Sequence, residues 1–193
     1  MTTMLRCLWV AAAALLAEPS LAQATAPAVK LLPAQSEIVF TSRQMGVPVE
    51  GRFTKFDAQI SLDPKQAQSG NVAFSIDMGS ATLGLPEIDA ELGKPGWFDA
   101  AKFRQATFQS SAIKSLGAAR FEVGGRIAIK GSAQDVVVPV SLTRSGGITT
   151  ATGSFTLQRL AFRVGAAEWA DTSLVANDVQ VRFRFVLSGM GAL

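Results

Sequence analysis

The side chains that could carry acid–base chemistry in this sequence are carboxylates, because it contains no histidine. Two close pairs, Asp89 with Glu91 and Glu168 with Asp171, have the residue types of the acid and base of a glycosidase. Both pairs fall in segments that read as an exposed helix or loop, where solvated charges are expected. The sequence shows neither a nucleophile elbow nor a phosphate-binding glycine loop. We therefore expect no catalytic residues and no enzymatic activity.

Metal and haem chemistry is disfavoured by the same composition. The chain has a single cysteine, Cys7, and ordinary zinc, copper and haem sites need imidazole or thiolate ligands. We expect no metal site and no cofactor.

Nucleic-acid binding is suggested at first sight by the stretch VQVRFRFVL, residues 179–187, in which basic and aromatic residues alternate. In a strand, however, residues two apart share a face. Phe183 and Phe185 then lie on one face and Arg182 and Arg184 on the other, whereas a single-strand binder needs both types in one groove. The net charge is only +3. We expect no nucleic-acid partner.

The first residues have the pattern of a secretory signal peptide. Arg6 precedes an apolar run from about Cys7 to Ala17, and Ala22-Gln23-Ala24 forms a small-x-small cleavage site. Residues 1–24 are therefore predicted to be the signal peptide, and residues 25–193 one exported domain. No other stretch reaches the roughly 18 apolar residues of a membrane span, so we expect no transmembrane segment. Cys7 precedes the apolar run, which argues against a lipid-anchored cysteine at the cleavage point.

Period-2 alternation of apolar residues, which is typical of half-buried strands, recurs along the rest of the chain. It predicts eight strands. They lie around Ile38–Phe40, Val49–Leu62, Val72–Met78, Thr107–Ile113, Phe121–Ile129, Val136–Leu142, Ala151–Leu157 and Val179–Leu187. The phase of the second slips by one residue, which predicts a bulge or sharp bend near Thr54 and Lys55. One helical pattern, with Leu85, Ile88 and Leu92 on one face, falls between strands 3 and 4.

Eight alternating strands with short connections favour a closed antiparallel barrel, because closure removes the exposed edges of a large sheet. A two-sheet sandwich is the main alternative. A barrel of this size either is filled by its side chains or holds one small ligand. Gly51, Gly125 and Gly153 lie on the apolar faces of their strands. They fit either corners of a packed barrel or gaps that leave room for a guest.

Four separated motifs resemble the YceI family. They are FTSRQMGVPVEGRFTKF (40–56), WFDAAKFRQATFQSSAI (97–113), VGGRIAIKGSAQDVVVPVSL (123–142), and LQRLAFRVG (157–165) with NDVQVRFRFVL (177–187). The resemblance implies an all-β, lipocalin-like antiparallel barrel that is secreted to the periplasm and binds an isoprenoid or similar amphipathic lipid in its lumen. Gln44 stands where many members have histidine, and Arg104 where many have proline.

On this reading the protein is a non-catalytic periplasmic carrier, and its ligand-binding residues are the inward aromatic and methionine side chains. These are Phe40, Met45, Phe53, Phe74, Met78, Trp97, Phe98, Phe108, Phe121, Phe155, Phe183 and Phe185. Arginines such as Arg159 and Arg163 could meet a polar head group, although ordinary ion pairing is the alternative. The competing interpretation is a packed barrel that binds another protein, as a homodimer or in a stress-related structural role. Exposed Trp97 and Phe98 would favour that interpretation.

Overall fold

The computed structural model describes residues 29–193, so the predicted signal peptide lies outside the described residues. The described chain is an all-β protein with one α-helix. Its strands are β1 (Lys30–Leu31), β2 (Glu37–Gln44), β3 (Val47–Phe53), β4 (Phe56–Ser61), β5 (Asn71–Asp77), β6 (Ala81–Thr82), β7 (Gln105–Gly117), β8 (Arg120–Ile129), β9 (Ser132–Ser145), β10 (Ile148–Gln158) and β11 (Asp178–Ser188), and α1 is Pro86–Leu92. No helix within residues 29–193 is long and apolar enough to cross a membrane.

The strands form one antiparallel sheet that rolls up around a common interior. Along the sheet the order is β4-β5-β7-β8-β9-β10-β11-β2-β3-β6, and β1 pairs with β11. The roll brings β4 back towards β11, and the ring centroids of Phe56 on β4 and Phe185 on β11 lie only 5.9 Å apart. Val29 bridges to Ile60 of β4 while the adjoining β1 pairs with β11. The sheet therefore encloses a lumen lined by the inward side chains.

The expected count of eight strands is corrected to eleven in the described chain, two of which are two-residue strands. The second expected strand is two strands, β3 and β4, which pair with β2 and β5 respectively. The break falls at Thr54 and Lys55, where the phase slip predicted a bulge or bend. The backbone N–H groups of Thr54 and Lys55, which lie between the two strands, both donate to Ser80. The Thr54 N–H donates to the Ser80 carbonyl and the Lys55 N–H to the Ser80 hydroxyl.

The helical insertion is α1, which follows β6 and precedes β7. Pro86 occupies its first turn, which suits the fixed φ of proline, and Gly93 its end, with right-handed helical dihedrals that any residue can adopt. The three apolar residues expected on one helix face differ in burial. Leu92 is buried, but Leu85 and Ile88 are 55% and 42% exposed. Asp89 instead attaches the helix to the barrel by accepting from Thr82 Oγ1 and Leu83 N.

The stretch 179–187 lies in β11 as the period of two predicted. Phe183 and Phe185 face the lumen, whereas Arg182 and Arg184 are exposed. Arg182 donates to Glu50 Oε2 at 2.6 Å, and Arg184 donates to the carbonyl of Gln35. The two arginines therefore bind outer-surface groups of the barrel itself.

The two ends of the barrel differ. The upper end carries the β2–β3 and β8–β9 turns, α1 and the turn Arg159–Phe162. The lower end carries the β7–β8 and β9–β10 turns and the C-terminal segment. There Met190 is buried, and Arg144 donates to the carbonyl oxygens of Met190 and Gly191.

Candidate ligand-binding site

The lower half of the lumen contains a cavity of about 130 Å³ whose walls are entirely apolar. Its side chains come from β2, β4, β5 and β7–β11, with Leu62 from the loop after β4 and Met190 from the C-terminal segment. They are Ile38, Ile60, Leu62, Val72, Phe74, Ile76, Phe108, Val123, Ile127, Val138, Val140, Leu142, Ala151, Phe155, Val181, Phe183, Phe185, Leu187 and Met190.

The upper half contains a second cavity, of about 150 Å³. It is lined by Ile38, Phe40, Ser42, Phe53, Ile76, Met78, Leu92, Trp97, Phe98, Ala106, Ile127, Ile129, Phe155, Leu157, Arg159, Phe162, Val164, Val179 and Val181. Five of these residues, Ile38, Ile76, Ile127, Phe155 and Val181, also line the lower cavity. The two cavities are therefore neighbours along one lumen, separated by a ring of shared side chains.

The structure places ten of the twelve predicted ligand-binding residues on these walls. They are Phe40, Phe53, Phe74, Met78, Trp97, Phe98, Phe108, Phe155, Phe183 and Phe185. Many luminal rings, such as Phe74 and Phe155, are only half-buried although they point inward. The surface area that remains accessible on these inward rings faces unfilled space in the lumen. The interior of the barrel is therefore incompletely filled.

Two of the predicted residues line neither cavity. Met45 lies at the tip of the β2–β3 hairpin, 78% exposed, with φ of 48°. Its backbone N–H donates to the Leu174 carbonyl, which fixes the hairpin tip at the outer rim. Phe121 faces inward near the lower end but is packed into the core at 4% exposure. Rim position and close packing, respectively, keep these two side chains from the cavities.

The inward glycines are explained by phenylalanine rings on neighbouring strands. A Cβ atom on Gly51, Gly125 or Gly153 would lie within 3.0 Å of the ring of Phe40, Phe108 or Phe183, respectively. Because glycine has no side chain, each ring can lie against the neighbouring backbone instead of projecting further into the lumen. The rings thus occupy the space over these glycines, so that space is not an open gap for a guest. Gly125 also lies beside the register shift at Ser110 and Ala112 of β7, as a corner position would.

The upper cavity is covered by two irregular segments, residues 93–103 and 159–177, which we call the cap. Two contacts join these segments. The ring centroids of Trp97 and Trp169 lie 5.9 Å apart, and the Gly165 N–H donates to the Gly96 carbonyl at 2.9 Å. Trp97 and Phe98 are half-buried and line the cavity, which is the arrangement expected for a ligand-binding barrel rather than for an exposed protein-binding surface.

Lys130, in the β8–β9 turn, joins the two segments of the cap. Its Nζ donates to the carbonyl oxygens of Pro95 at 2.6 Å and Arg163 at 2.9 Å. Burial lowers the pKa of Lys130 from its ordinary value, while nearby Asp99 opposes that shift and Arg163 adds to it. The ammonium group therefore acts as a structural cross-link.

Arg159 forms the anchor of the longer cap segment. It is 5% exposed, and burial lowers the pKa of its guanidinium. All five N–H donors of a guanidinium are used. Nε donates to the Ala176 carbonyl, Nη1 to those of Val164 and Gly165, and Nη2 to those of Trp169 and Val175, at 2.6–3.0 Å. No donor is left for a head group, so the suggested contact with a ligand phosphate is not supported at this residue.

The other charged candidates also bond to local groups. Arg163 donates to Ser132 Oγ, and Arg43 donates to the Gly46 carbonyl. Asp171 accepts from both the hydroxyl and the backbone N–H of Ser173, and these bonds lower the pKa of its carboxyl.

The carboxylate pairs do not form an acid–base site. Asp89 is bonded to Thr82 and Leu83, whereas Glu91 forms an ion pair with Lys94. Glu168 and Asp171 are both exposed on the cap. None of these four residues lines either cavity.

Sequence reasoning missed two notable wall residues. Phe162 is 2% exposed and lies in a helical turn rather than a strand, so the period-2 signal could not find it. Ser42 follows Ile38 and Phe40 on the same face of β2, so the period of two places its side chain in the lumen. It was missed because the candidate wall residues were chosen among apolar side chains.

Fold and site together define an antiparallel β-barrel protein with an enclosed, predominantly apolar lumen. The chain belongs to the family described as YceI-like domain, which matches residues 30–187. A UPF0312 protein of Vibrio cholerae is 28% identical over 138 residues, which cover 71% of this chain and 73% of that protein.

Among solved structures, Burkholderia cenocepacia BcnA is similar with a TM-score of 0.79 at 41% identity, over 81% of this chain and 99% of that chain. A polyisoprenoid binding domain from Saccharophagus degradans, described as implicated in plant cell wall breakdown, has a TM-score of 0.69 at 16% identity, over 84% and 98% of the two chains. At that identity the second likeness speaks for the fold alone.

Proposed function

We propose that this protein is a non-catalytic binding or carrier protein for an isoprenoid or a similar long amphipathic lipid held in the barrel lumen. The observation that carries the proposal is the pair of neighbouring apolar cavities, of about 130 and 150 Å³, with shared walls. Luminal side chains of β11 run from Val179 to Leu187. That is about 27 Å along a strand, or about 20 Å along the axis of a barrel with strands tilted by about 40°. The lumen suits a long, narrow chain.

Burial of hydrocarbon supplies a large part of the free energy for such binding. Each buried CH₂ contributes roughly 0.8 kcal/mol, so two or three five-carbon units contribute about 8–12 kcal/mol. Association costs about 4–15 kcal/mol. Hydrocarbon burial thus offsets much or all of that cost before any polar contact is counted.

The class of ligand in this proposal is that of a protein with the same fold. The Saccharophagus degradans neighbour is described as a polyisoprenoid binding domain, and we extend that ligand class to this chain. The proposal also includes a periplasmic location, which rests on the signal-peptide pattern of residues 1–24.

The proposal is tested by extracting the purified protein with organic solvent and identifying the extract by mass spectrometry. Ala151→Phe places a ring in the lower cavity, whereas Val137→Phe adds the same ring to an outer position that is 63% exposed. We expect lipid from the wild type and from Val137→Phe, and much less from Ala151→Phe, with circular dichroism showing all three folded. An extract without lipid, together with no binding of added prenyl lipid, would overturn the proposal.

A further inference from the structure

One hydroxyl group interrupts the apolar wall of the lumen. Ser42 lines the upper cavity, and its Oγ is buried without any hydrogen-bond partner. Elsewhere in the described chain, one other buried side-chain polar atom lacks a partner, Thr149 Oγ1, and Thr149 lines neither cavity. Among buried side-chain groups of the described chain, Ser42 is thus the one at the cavities whose hydrogen-bonding capacity no protein group meets.

The local fold explains why this hydroxyl points inward. Ser42 is on β2 in phase with Ile38 and Phe40, which also line the upper cavity, and it pairs with Val49 of β3. A buried hydroxyl that no protein group bonds costs free energy unless another molecule in the cavity bonds to it. A polar atom on a bound molecule would supply that bond.

No other buried polar side-chain group on the cavity walls is free to bind a head group. The lower cavity has only apolar side chains. The upper one has Ser42, Arg159 and the indole N–H of Trp97. All five guanidinium donors of Arg159 already bond to backbone carbonyls, and Trp97 Nε1 is not among the buried polar atoms that lack a partner. A phosphate or carboxylate here would lose its hydration and gain one hydroxyl in return, which is far too little for an ionised group.

We propose that the Ser42 hydroxyl binds an uncharged oxygen of the ligand's head group, such as that of an alcohol, phenol or quinone. The head then lies in the upper cavity beneath the cap, and the hydrocarbon tail extends through the ring of shared residues into the lower cavity. This inference rests on the proposed lipid-binding function and adds to it the charge and orientation of the ligand.

The test compares three probes that share one tail: geranylgeraniol, its monophosphate and the corresponding hydrocarbon without oxygen. Each is titrated into lipid-stripped wild type, Ser42→Ala and Thr149→Val. Thr149→Val is the matched control because it also removes a buried, unpartnered hydroxyl, but away from the cavities. Thermal melting of the lipid-free proteins verifies that all three are folded.

We expect the wild type to bind the alcohol more tightly than the monophosphate. Ser42→Ala should weaken alcohol binding about five- to tenfold, the effect of one lost neutral hydrogen bond, and leave hydrocarbon binding unchanged. Thr149→Val should change neither. Equal effects of Ser42→Ala on alcohol and hydrocarbon, or tighter binding of the monophosphate, would overturn the inference while leaving the carrier function intact. Failure of all three probes to bind any of the proteins would overturn both.

Discussion

The two halves of the lumen are closed in different ways. The lower cavity is enclosed by side chains of regular strands and by Met190, so its closure depends on close apolar packing. The upper cavity is covered by the irregular cap, which is joined to itself and to the barrel by directed hydrogen bonds from Arg159 and Lys130. The lower half is thus held by packed side chains, which deform little, and the upper half by hydrogen bonds to a few carbonyl oxygens. Four predictions test this comparison.

The largest effect is expected in the cap, from Arg159→Met. The substitution keeps an apolar stem but removes the donors to five carbonyl groups. Because each buried carbonyl left unpaired costs about 1–3 kcal/mol and some will gain water, we expect the free energy of unfolding to fall by about 3–5 kcal/mol. Urea denaturation measures it. Exposed Arg163→Met is the control, expected to cost under about 1 kcal/mol; similar losses for the two variants would contradict the anchoring role.

At the lower end, Met190→Ala removes a side chain that is 4% exposed. Loss of buried methionine atoms costs about 2–5 kcal/mol in general, and we expect about 2–3 kcal/mol here because a cavity already lies beside it. The control is Met45→Ala, whose side chain is 78% exposed, with a change within about 0.5 kcal/mol. Urea denaturation midpoints of the two variants measure this difference. Equal midpoints would show that Met190 does not close the lumen.

Adjacent glycines on β8 test the packing of the lower half at finer scale. A Cβ on Gly125 would lie 2.5 Å from both Phe108 Cζ and the Gln109 carbonyl oxygen, whereas one on Gly124 would meet nothing closer than 3.8 Å. Overpacking of this kind costs about 1–3 kcal/mol. Gly125→Ala should therefore lower stability by that amount and reduce lipid uptake, and Gly124→Ala should do neither. Unchanged lipid uptake in Gly125→Ala would show that the Phe108 ring does not limit the lumen.

The smallest effect is a pH dependence in the cap at Asp171. Hydrogen bonds from Ser173 lower the pKa of its carboxyl below the ordinary 3.8, so the folded protein favours the ionised form. The resulting stabilisation is complete above about pH 4 to 5 and is lost as pH falls through the lowered pKa. Asp171→Asn should thus be less stable than wild type at pH 6 and approach it near pH 2, as followed by urea midpoints. A difference that is constant with pH would contradict the assignment.

The strand walls of the lumen were largely predictable from the sequence, and the contacts that hold the cap were not. Period-2 alternation assigned Phe183 and Phe185 to the lumen because strand geometry depends on neighbouring residues alone. The same signal located the interruption at Thr54 and Lys55 but could not show that it separates two strands with different partners. Pairing partners are a long-range property.

Residues of the cap depend on contacts between distant parts of the chain. Arg159 resembles any surface arginine in the sequence, and its role appears only when the loop from Val164 to Ala176 folds around it. Met45 was predicted to contact ligand, yet the tight hairpin turn carries it to the rim. Trp97 and Phe98, also predicted to contact ligand, line the upper cavity; whether they bind a ligand stays a prediction.

The flat-lying phenylalanines also bear on which lipids fit. Three glycines on three strands, one facing the upper cavity and two the lower, let the rings of Phe40, Phe108 and Phe183 lie against the wall. The cross-section is thus fixed by backbone positions that have no side chain, and a single methyl group would narrow it. On the proposed function, the lumen should therefore select ligands by their cross-section. A flexible unbranched or prenyl chain can pass these rings, whereas a rigid fused-ring sterol would have to displace them.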